Sequence, residues 1–200
     1  MENFFDQHNE PLGQRIAFAF ERLSTALRHN AWQEATPRRL TPTQGEILTL
    51  LERRPGVPLK EVAELIGVRP ATASEAVRVL VEKGWVEKSR HPEDRRALWL
   101  RLTPDGRDLA RGAASWTDFL ARAVEGLQED EGEVLLRSLM HLIERLQVEG
   151  RIPSARMCST CRYFRPHRHD DSNKPHHCAF VDAPFGDRDL RFDCADHTTS

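Results

Sequence analysis

Cysteine is absent from most of the chain. No cysteine precedes Cys158, and all four cysteines of the 200 residues lie from that position onward. The long N-terminal part therefore has no disulfide available to it and depends on apolar packing for its stability. With 39% apolar residues, the chain can bury one ordinary core and a small appendage.

Long apolar runs and an export signal are also lacking. No stretch approaches the roughly 18 consecutive apolar residues that indicate a membrane-spanning helix, and the opening residues show no basic start followed by an apolar run. These absences predict a soluble protein of the cytoplasm with no membrane partner. In that reducing compartment, clustered thiols bind a metal more often than they form disulfides.

Charge of a single sign is lacking as well, since the formal net charge is −2. This excludes a chain that is basic throughout, yet basic residues slightly outnumber acidic ones between Arg69 and Arg107, where they would attract phosphates. A nucleophile with its base, a glycine-rich phosphate loop and a catalytic pair of carboxylates are all missing from the sequence. We therefore expect no enzyme activity.

The segment 59–90 has the pattern of a helix-turn-helix. Apolar residues at helical spacing predict one short helix that stops at Gly67 and another that begins near Pro70 and stops at Gly84. Extended runs on either side of the polar segment 89–96 then predict a β-hairpin with a charged tip. A helix-turn-helix followed by a hairpin is the order of a winged helix.

Longer amphipathic helices flank this segment. A helix predicted over 12–30 carries an apolar stripe on one face, and a second helix opens at Thr41 with a capping box closed by Gln44. Beyond the hairpin, Thr103 caps a helix whose stripe is predicted to continue unbroken over 109–127. A last stripe, made of leucines four and three residues apart, consists of Leu135, Leu139, Leu142 and Leu146.

Stripes of this length need a surface to cover them. They predict a dimerisation unit built from residues 10–35 and 104–149, with an intramolecular bundle as the alternative, while residues 40–103 form the DNA-binding part. We therefore expect a mainly α (α+β) fold, a winged helix-turn-helix with long dimerisation helices in domain 1–150. A small irregular metal-binding tail, residues 151–200, would follow it.

Exposed polar residues of the second short helix are the expected DNA contacts, because the N-terminal residues of such a helix face base edges in the major groove. Glu75 is expected to pair with Arg78 instead. At the wing tip, an arginine would enter the minor groove while Asp94 orients its neighbour through a bidentate pair. The predicted DNA-binding residues are Arg69, Thr72, Ser74, Arg78, Arg90, Asp94, Arg95 and Arg96.

The order of these elements, together with the sequence HPEDRRALWLRLTPDG at 91–106, resembles the MarR family of dimeric winged-helix transcriptional regulators. The positions of that family's wing and helix-opening motifs are held here by Arg90, Asp94, Arg96, Leu102, Thr103 and Gly106. The resemblance covers about residues 10–150. It implies a homodimer that binds a pseudo-palindromic operator, commonly as a repressor.

The same resemblance implies a small aromatic effector bound between the dimerisation and reading parts. Phe20, Trp32 and Trp116 are available to line such a site, although packing in the core is their more common use. The alternative function is a protein-interaction module that uses the winged helix as a docking platform without DNA specificity.

The tail carries its cysteines as Cys158-x-x-Cys161, then Cys178 and Cys194. Two thiolates three positions apart grip one ion from a tight turn, which predicts one metal centre on the four cysteines, with His197 as a substitute ligand. Zn²⁺ is slightly favoured. The alternative is a [4Fe-4S] cluster, because a close pair followed by two isolated cysteines near aromatic residues resembles high-potential iron-sulfur proteins. The remaining histidines expected on a solvated loop are His167, His169 and His176.

Overall fold

The computed structural model describes residues 9–90 and 98–199, and its fold is mainly helical with two small sheets. The helices are α1 (Leu12–Ala35), α2 (Pro42–Arg53), α3 (Leu59–Leu65), α4 (Pro70–Glu82), α5 (Pro104–Ala114), α6 (Asp118–Glu125) and α7 (Glu129–Val148). The strands are β1 (Val57–Pro58), β2 (Val86–Arg90), β3 (Leu98–Leu102), β4 (Phe164–Arg165), β5 (His176–Cys178) and β6 (Ala183–Phe185). The predicted fold class is confirmed.

Local signals in the sequence fix the ends of the helices in residues 40–103, which we call the reading lobe. Thr41 accepts a hydrogen bond from the backbone N–H of Gln44 at 3.2 Å, and the Gln44 side chain accepts one from the Thr41 N–H at 3.0 Å. This is the predicted capping box of α2. Gly67 and Gly84, with φ of +68° and +72°, end α3 and α4 in the left-handed region that glycine adopts at little cost.

The wing is an antiparallel hairpin of β2 and β3, in which Val86 lies opposite Leu102 and Arg90 lies opposite Leu98. Strand β1 adds a third, outer strand by pairing with β3. The hairpin was predictable from the sequence, whereas β1 was not, because it is two residues long and shows no alternation. Together β1, β3 and β2 close one side of the reading lobe.

A close backbone approach joins the hairpin to α5. The Thr103 hydroxyl accepts from the Gly106 N–H at 3.1 Å and donates to the Gly84 carbonyl at 2.9 Å. A side chain at Gly106 would overlap the carbonyl of Trp85. The threonine and glycine that carried the family resemblance therefore act structurally, because they hold α5 against the base of the wing.

The predicted unbroken helix over 109–127 is interrupted, which corrects that expectation. Helix α5 ends at Ala114, a 3-10 turn spans Ser115–Thr117, and α6 resumes at Asp118. Trp116 is only 6% exposed in this turn, because its ring packs against the backbone of Gly45 in α2. A contact with a distant element thus overrides the helical periodicity.

Apolar side chains remain uncovered on the outer helices of a single chain. On α1, Ile16, Phe20 and Leu23 are 46%, 38% and 43% exposed, although they form the predicted stripe. On α7, Val134 and Leu142 are 50% and 39% exposed. No described helix combines the length and apolar character needed to cross a membrane.

The tail has a small sheet of its own, in the order β4-β5-β6 with antiparallel pairing. Met157, which directly precedes the first cysteine of the tail, is fully buried, and Met140 on α7 is only 2% exposed. The 3-10 turns Cys158–Thr160 and Asp187–Asp189 both lie beside α7. The tail is therefore folded against α7.

Candidate nucleic-acid interface and cysteine tail

Helix α4 presents a polar face at its N-terminal end. Arg69 occupies the N-cap position in an extended conformation, and its side chain is exposed together with those of Thr72 and Ser74. Ala73 and Val77 point into the core and are 2% and 0% exposed. The sequence predicted which of these residues are exposed and which are buried, and the structure agrees. The guanidinium of Arg69 and the hydroxyls of Thr72 and Ser74 are therefore accessible on one surface.

Arg78 is occupied by its own helix. Its Nε and Nη2 donate to the two carboxylate oxygens of Glu75 at 2.8 and 2.5 Å, and its Nη1 also pairs with Glu82. The hydrogen bonds from Arg78 lower the pKa of Glu75, which therefore stays ionised. The expected pairing of Glu75 with Arg78 is present, so a DNA contact by Arg78 requires that this bidentate pair open or share its guanidinium.

Arg90 is the predicted wing residue that the structure describes. It is exposed at the last position of β2, opposite Leu98, where the hairpin strands lead toward the tip. The other predicted wing contacts lie outside the described residues and stay predictions: Asp94, Arg95 and Arg96.

A broad groove of about 1510 Å³ lies between the reading lobe, the helices α1 and α7, and the start of the tail. Of the three aromatic residues predicted for an effector site, Trp32 and Trp116 line it and Phe20 does not. The indole N–H of Trp116 is buried without a hydrogen-bond partner among the described residues. Trp116 is 6% exposed and belongs to the core, so packing is its observed use, whereas Trp32 is 56% exposed and accessible from the groove.

The backbone brings the four cysteines to one end of the tail. Cys158 and Cys161 share one 3-10 turn, while Cys178 lies on β5 opposite Phe164. Backbone hydrogen bonds tie the segment of Cys194 to that of Cys158, since the Cys194 N–H donates to the Arg156 carbonyl at 3.0 Å. In the same region the Arg191 N–H donates to the Sγ of Cys158 at 3.3 Å.

The thiol chemistry fits a soft or borderline metal, but the described conformation is not a closed ligand shell. Burial raises the pKa of Cys158, and the neighbouring thiols of Cys194, Cys178 and Cys161 raise it further. The hydrogen bond from the Arg191 N–H acts in the opposite direction and lowers it. All four thiols are free. Among the described residues no three metal-ligating side chains are grouped tightly enough to hold an ion. Binding would therefore require side-chain rotations that draw the sulfurs together.

The histidines of the tail behave differently from one another. His197 shares a 3.0 Å hydrogen bond with the Thr160 hydroxyl through its Nε2, and its role as a substitute ligand stays a prediction. His167 and His169 are exposed as predicted, but the expectation for His176 is wrong, since it is 4% exposed and bonds Asp187 at 2.9 Å. That partner is eleven residues away and gave no signal in the sequence.

Ion pairs join the tail to two other parts of the molecule. At the reading lobe, Arg54 directly after α2 donates to Asp193 at 2.9 Å, and Arg156 donates to the same Asp193 oxygen at 2.7 Å. We call this set of three residues the Asp193 clamp. Burial alone raises the pKa of Asp193, but the two arginines outweigh it and hold the pKa below its usual value.

The second group of ion pairs connects the tail to α7. Its ion pairs are Asp187 with Arg137, and Arg188 with Glu129 and Glu133. Neither group of ion pairs could be predicted from the sequence, because the partners are far apart in the chain. Arg54 and Asp193, for example, are separated by 139 residues. The tail is thus attached both to the reading lobe and to α7.

The helix order, the wing and the exposed α4 face define residues 40–103 as a winged helix-turn-helix. Residues 40–98 match the model of the MarR family, which covers the reading lobe only. Among curated proteins, the chain is 31% identical over 78 residues to the uncharacterized HTH-type transcriptional regulator YwhA of Bacillus subtilis, a match that covers 38% of this chain. That match spans 56% of the relative's length, so the chain aligns with about half of it.

Solved structures share the fold beyond the reading lobe. FabT of Streptococcus pneumoniae, solved in complex with DNA, is 22% identical with a TM-score of 0.58, over 67% of this chain and 96% of that one. CouR of Rhodococcus jostii, solved with p-coumaroyl-CoA, is 24% identical with a TM-score of 0.58, over 67% of this chain and 95% of that one. These relatives support the MarR-like winged-helix fold that the sequence predicted.

Proposed function

We propose that this chain is a cytoplasmic, sequence-specific DNA-binding transcriptional regulator of the MarR type that acts as a homodimeric repressor. The observation that carries the proposal is the exposed polar N-terminal face of α4, with Arg69, Thr72 and Ser74, standing beside a two-stranded wing. A helix presented in this way fits the major groove, and a basic hairpin fits the neighbouring minor groove. The DNA complex of FabT supports the same use of the fold.

The uncovered stripes of α1 and α7 support the homodimer. Apolar patches of this extent on an isolated chain indicate an interface, and a two-fold axis buries the same patch on both copies. Two α4 helices related by that axis would read two half-sites about one DNA turn apart. The operator is therefore expected to be pseudo-palindromic.

Selection of binding sites from random double-stranded DNA tests the function. A DNA regulator enriches a palindrome, whereas a winged helix that serves only as a protein docking platform enriches none. Arg96→Ala, a change at a residue that the sequence predicts to contact DNA, is expected to abolish binding to the selected site. Unchanged affinity in that variant would remove the wing from the interface, and a failure to enrich any sequence would favour the docking platform.

We further propose that Cys158, Cys161, Cys178 and Cys194 hold one metal centre, with Zn²⁺ slightly favoured and His197 as a substitute ligand. The proposal is supported by the four thiols at one end of the tail and by the Arg191 N–H directed at the Cys158 sulfur. Bound Zn²⁺ would act as a staple or a sensor by joining segments that lack a shared apolar core.

Elemental analysis and absorption spectra of protein purified without air separate the two centres. One equivalent of zinc in a colourless sample supports the zinc site, and a brown sample with iron and sulfide supports a [4Fe-4S] cluster instead. Full alkylation of all four thiols in the native purified protein, with no metal present, would contradict both. Replacing Cys161 with serine should lower the metal content, whereas Ser172→Ala, at an exposed residue of the same tail, should leave it unchanged.

The groove lined by Trp32 is proposed to bind a small aromatic effector. The exposed Trp32 would stack on its ring, while Trp116, packed against Gly45, forms part of the groove wall. CouR, which shares the fold, was solved with an aromatic CoA thioester. Titration with phenolic acids should quench tryptophan fluorescence in the wild type and weaken DNA binding. Trp32→Ala, which does not disturb the Gly45 contact, should remove the effect.

A further inference from the structure

We propose that the tail is an intramolecular brace that holds the reading lobe in its DNA-binding orientation, and that the cysteine site controls this brace through the Asp193 clamp. The inference rests on the proposed DNA-binding function and names a regulation of it. Its basis is the position of the tail, which is bonded to the reading lobe through Arg54 and to α7 through Asp187.

The contact with the reading lobe lies close to the elements that would read DNA. Arg54 caps the C-terminal end of α2, and its side chain and that of Asp193 are 21% and 23% exposed, so water screens their charges only in part. Pro153 approaches the turn between α3 and α4, since a Cβ built on Gly67 would lie 3.9 Å from its Cγ. The same Pro153 accepts a hydrogen bond from Gln147 of α7 at 2.9 Å.

The clamp is continuous with the cysteine site along the backbone. Asp193 immediately precedes Cys194, whose N–H donates to the carbonyl of Arg156 at 3.0 Å. The side chain of Arg156 in turn donates to Asp193 at 2.7 Å. A backbone movement of Cys194 toward or away from the other thiols, unlike a rotation of its side chain alone, therefore displaces the carboxylate that Arg54 binds.

The exposed surface of α4 decides whether docking of the tail raises or lowers the affinity for DNA. With the tail docked, Arg69, Thr72 and Ser74 of α4 remain exposed, so the brace does not cover the reading face. In a dimer the two α4 helices must match half-sites about 34–36 Å apart, which a freely tilting lobe meets only part of the time. Docking reduces the conformational freedom lost on binding, so it raises the affinity for DNA.

Asp193→Asn tests the brace because it keeps the size of the side chain and removes its charge. Affinity for the selected operator is expected to fall by about tenfold, within the range for changes that alter coupling between distant sites. Asp196→Asn, an exposed aspartate three positions along with no ion pair among the described residues, is the matched control and should bind as the wild type does. Melting curves establish that each variant is folded.

Arg54→Gln breaks the Asp193 clamp by a change in the reading lobe. It leaves the sequence of the tail intact, so its effect cannot come from a misfolded tail. Its loss of affinity should not add to that of Asp193→Asn, because both changes break one contact. Amide exchange should accelerate at residues 50–56 in both single variants. Fully additive losses, or unchanged exchange there, would overturn the clamp.

The link to the thiols is tested with Zn²⁺ and a chelator. Stripping the wild type with a chelator should lower its DNA affinity, and Zn²⁺ should restore it, while Asp193→Asn responds to neither. A wild type that binds no DNA refutes the proposed function itself. A wild type that binds DNA equally with and without Zn²⁺, or an Asp193→Asn protein of normal affinity, refutes the brace alone.

Discussion

Trp116 lies directly against Gly45, so that a side chain at Gly45 would overlap the six-membered ring. The ring is 6% exposed and cannot move aside without leaving the core. We expect Gly45→Ala to destabilise the fold by about 1–3 kcal/mol through overpacking, measured by denaturant unfolding. Gly132→Ala on α7, where nothing lies within 4 Å, is the control, and should stabilise by about 0.5–1 kcal/mol through helix propensity. A neutral Gly45→Ala would mean that α2 and the Trp116 turn are not in contact.

This contact also explains where sequence reasoning succeeds and where it fails. The capping box of Thr41 and Gln44 and the helix ends at Gly67 and Gly84 were predictable, because each depends on residues a few positions apart. The break at Trp116 was not, since its cause lies in α2 and periodicity alone continues through it.

The candidate sites divide in the same way. The polar face of α4 follows from the spacing of its apolar residues, so the exposure of Arg69, Thr72 and Ser74 was predictable from the sequence, and their contact with DNA stays a prediction. The Asp193 clamp and the burial of His176 depend on partners that only the tertiary fold brings near, and charged residues in a tail otherwise indicate a solvated surface.

Arg69 is the residue whose removal should weaken DNA binding without disturbing the protein. It is exposed at the N-cap of α4, and no hydrogen bond or ion pair to its guanidinium is among the described contacts. Arg69→Ala is expected to cost about 1–3 kcal/mol in affinity if it contacts a base, or to reduce the salt dependence by about one charge if it contacts a phosphate. Fluorescence anisotropy at several salt concentrations distinguishes the two. Arg122→Ala on exposed α6 carries the same charge change and should leave both quantities unaltered.

Glu75→Gln is expected to strengthen DNA binding. The change removes a carboxylate from the reading face and loosens the bidentate grip on Arg78, whose guanidinium then becomes available to phosphates. Affinity for non-specific duplex at low salt should rise several-fold, on the scale of one phosphate contact. Glu52→Gln on the exposed face of α2 has the same charge change and should have little effect. A loss of affinity in Glu75→Gln would instead mean that Glu75 accepts a hydrogen bond from a base.

Phe20→Asp on α1 should convert the protein to a monomer. Phe20 lies in the uncovered stripe and is 38% exposed in a single chain. Burying such a side chain contributes about 1.5–3 kcal/mol to the stability of the dimer. A two-fold interface buries the side chain of both copies, so this contribution is made twice. Light scattering after gel filtration measures the mass, and anisotropy on the same samples should show that operator binding falls with the dimer. Val181→Asp, which places the same charge on a 62% exposed residue of the tail, should keep the wild-type mass. If Phe20→Asp stays dimeric while Val181→Asp dissociates, the copies meet through the tail and not through α1.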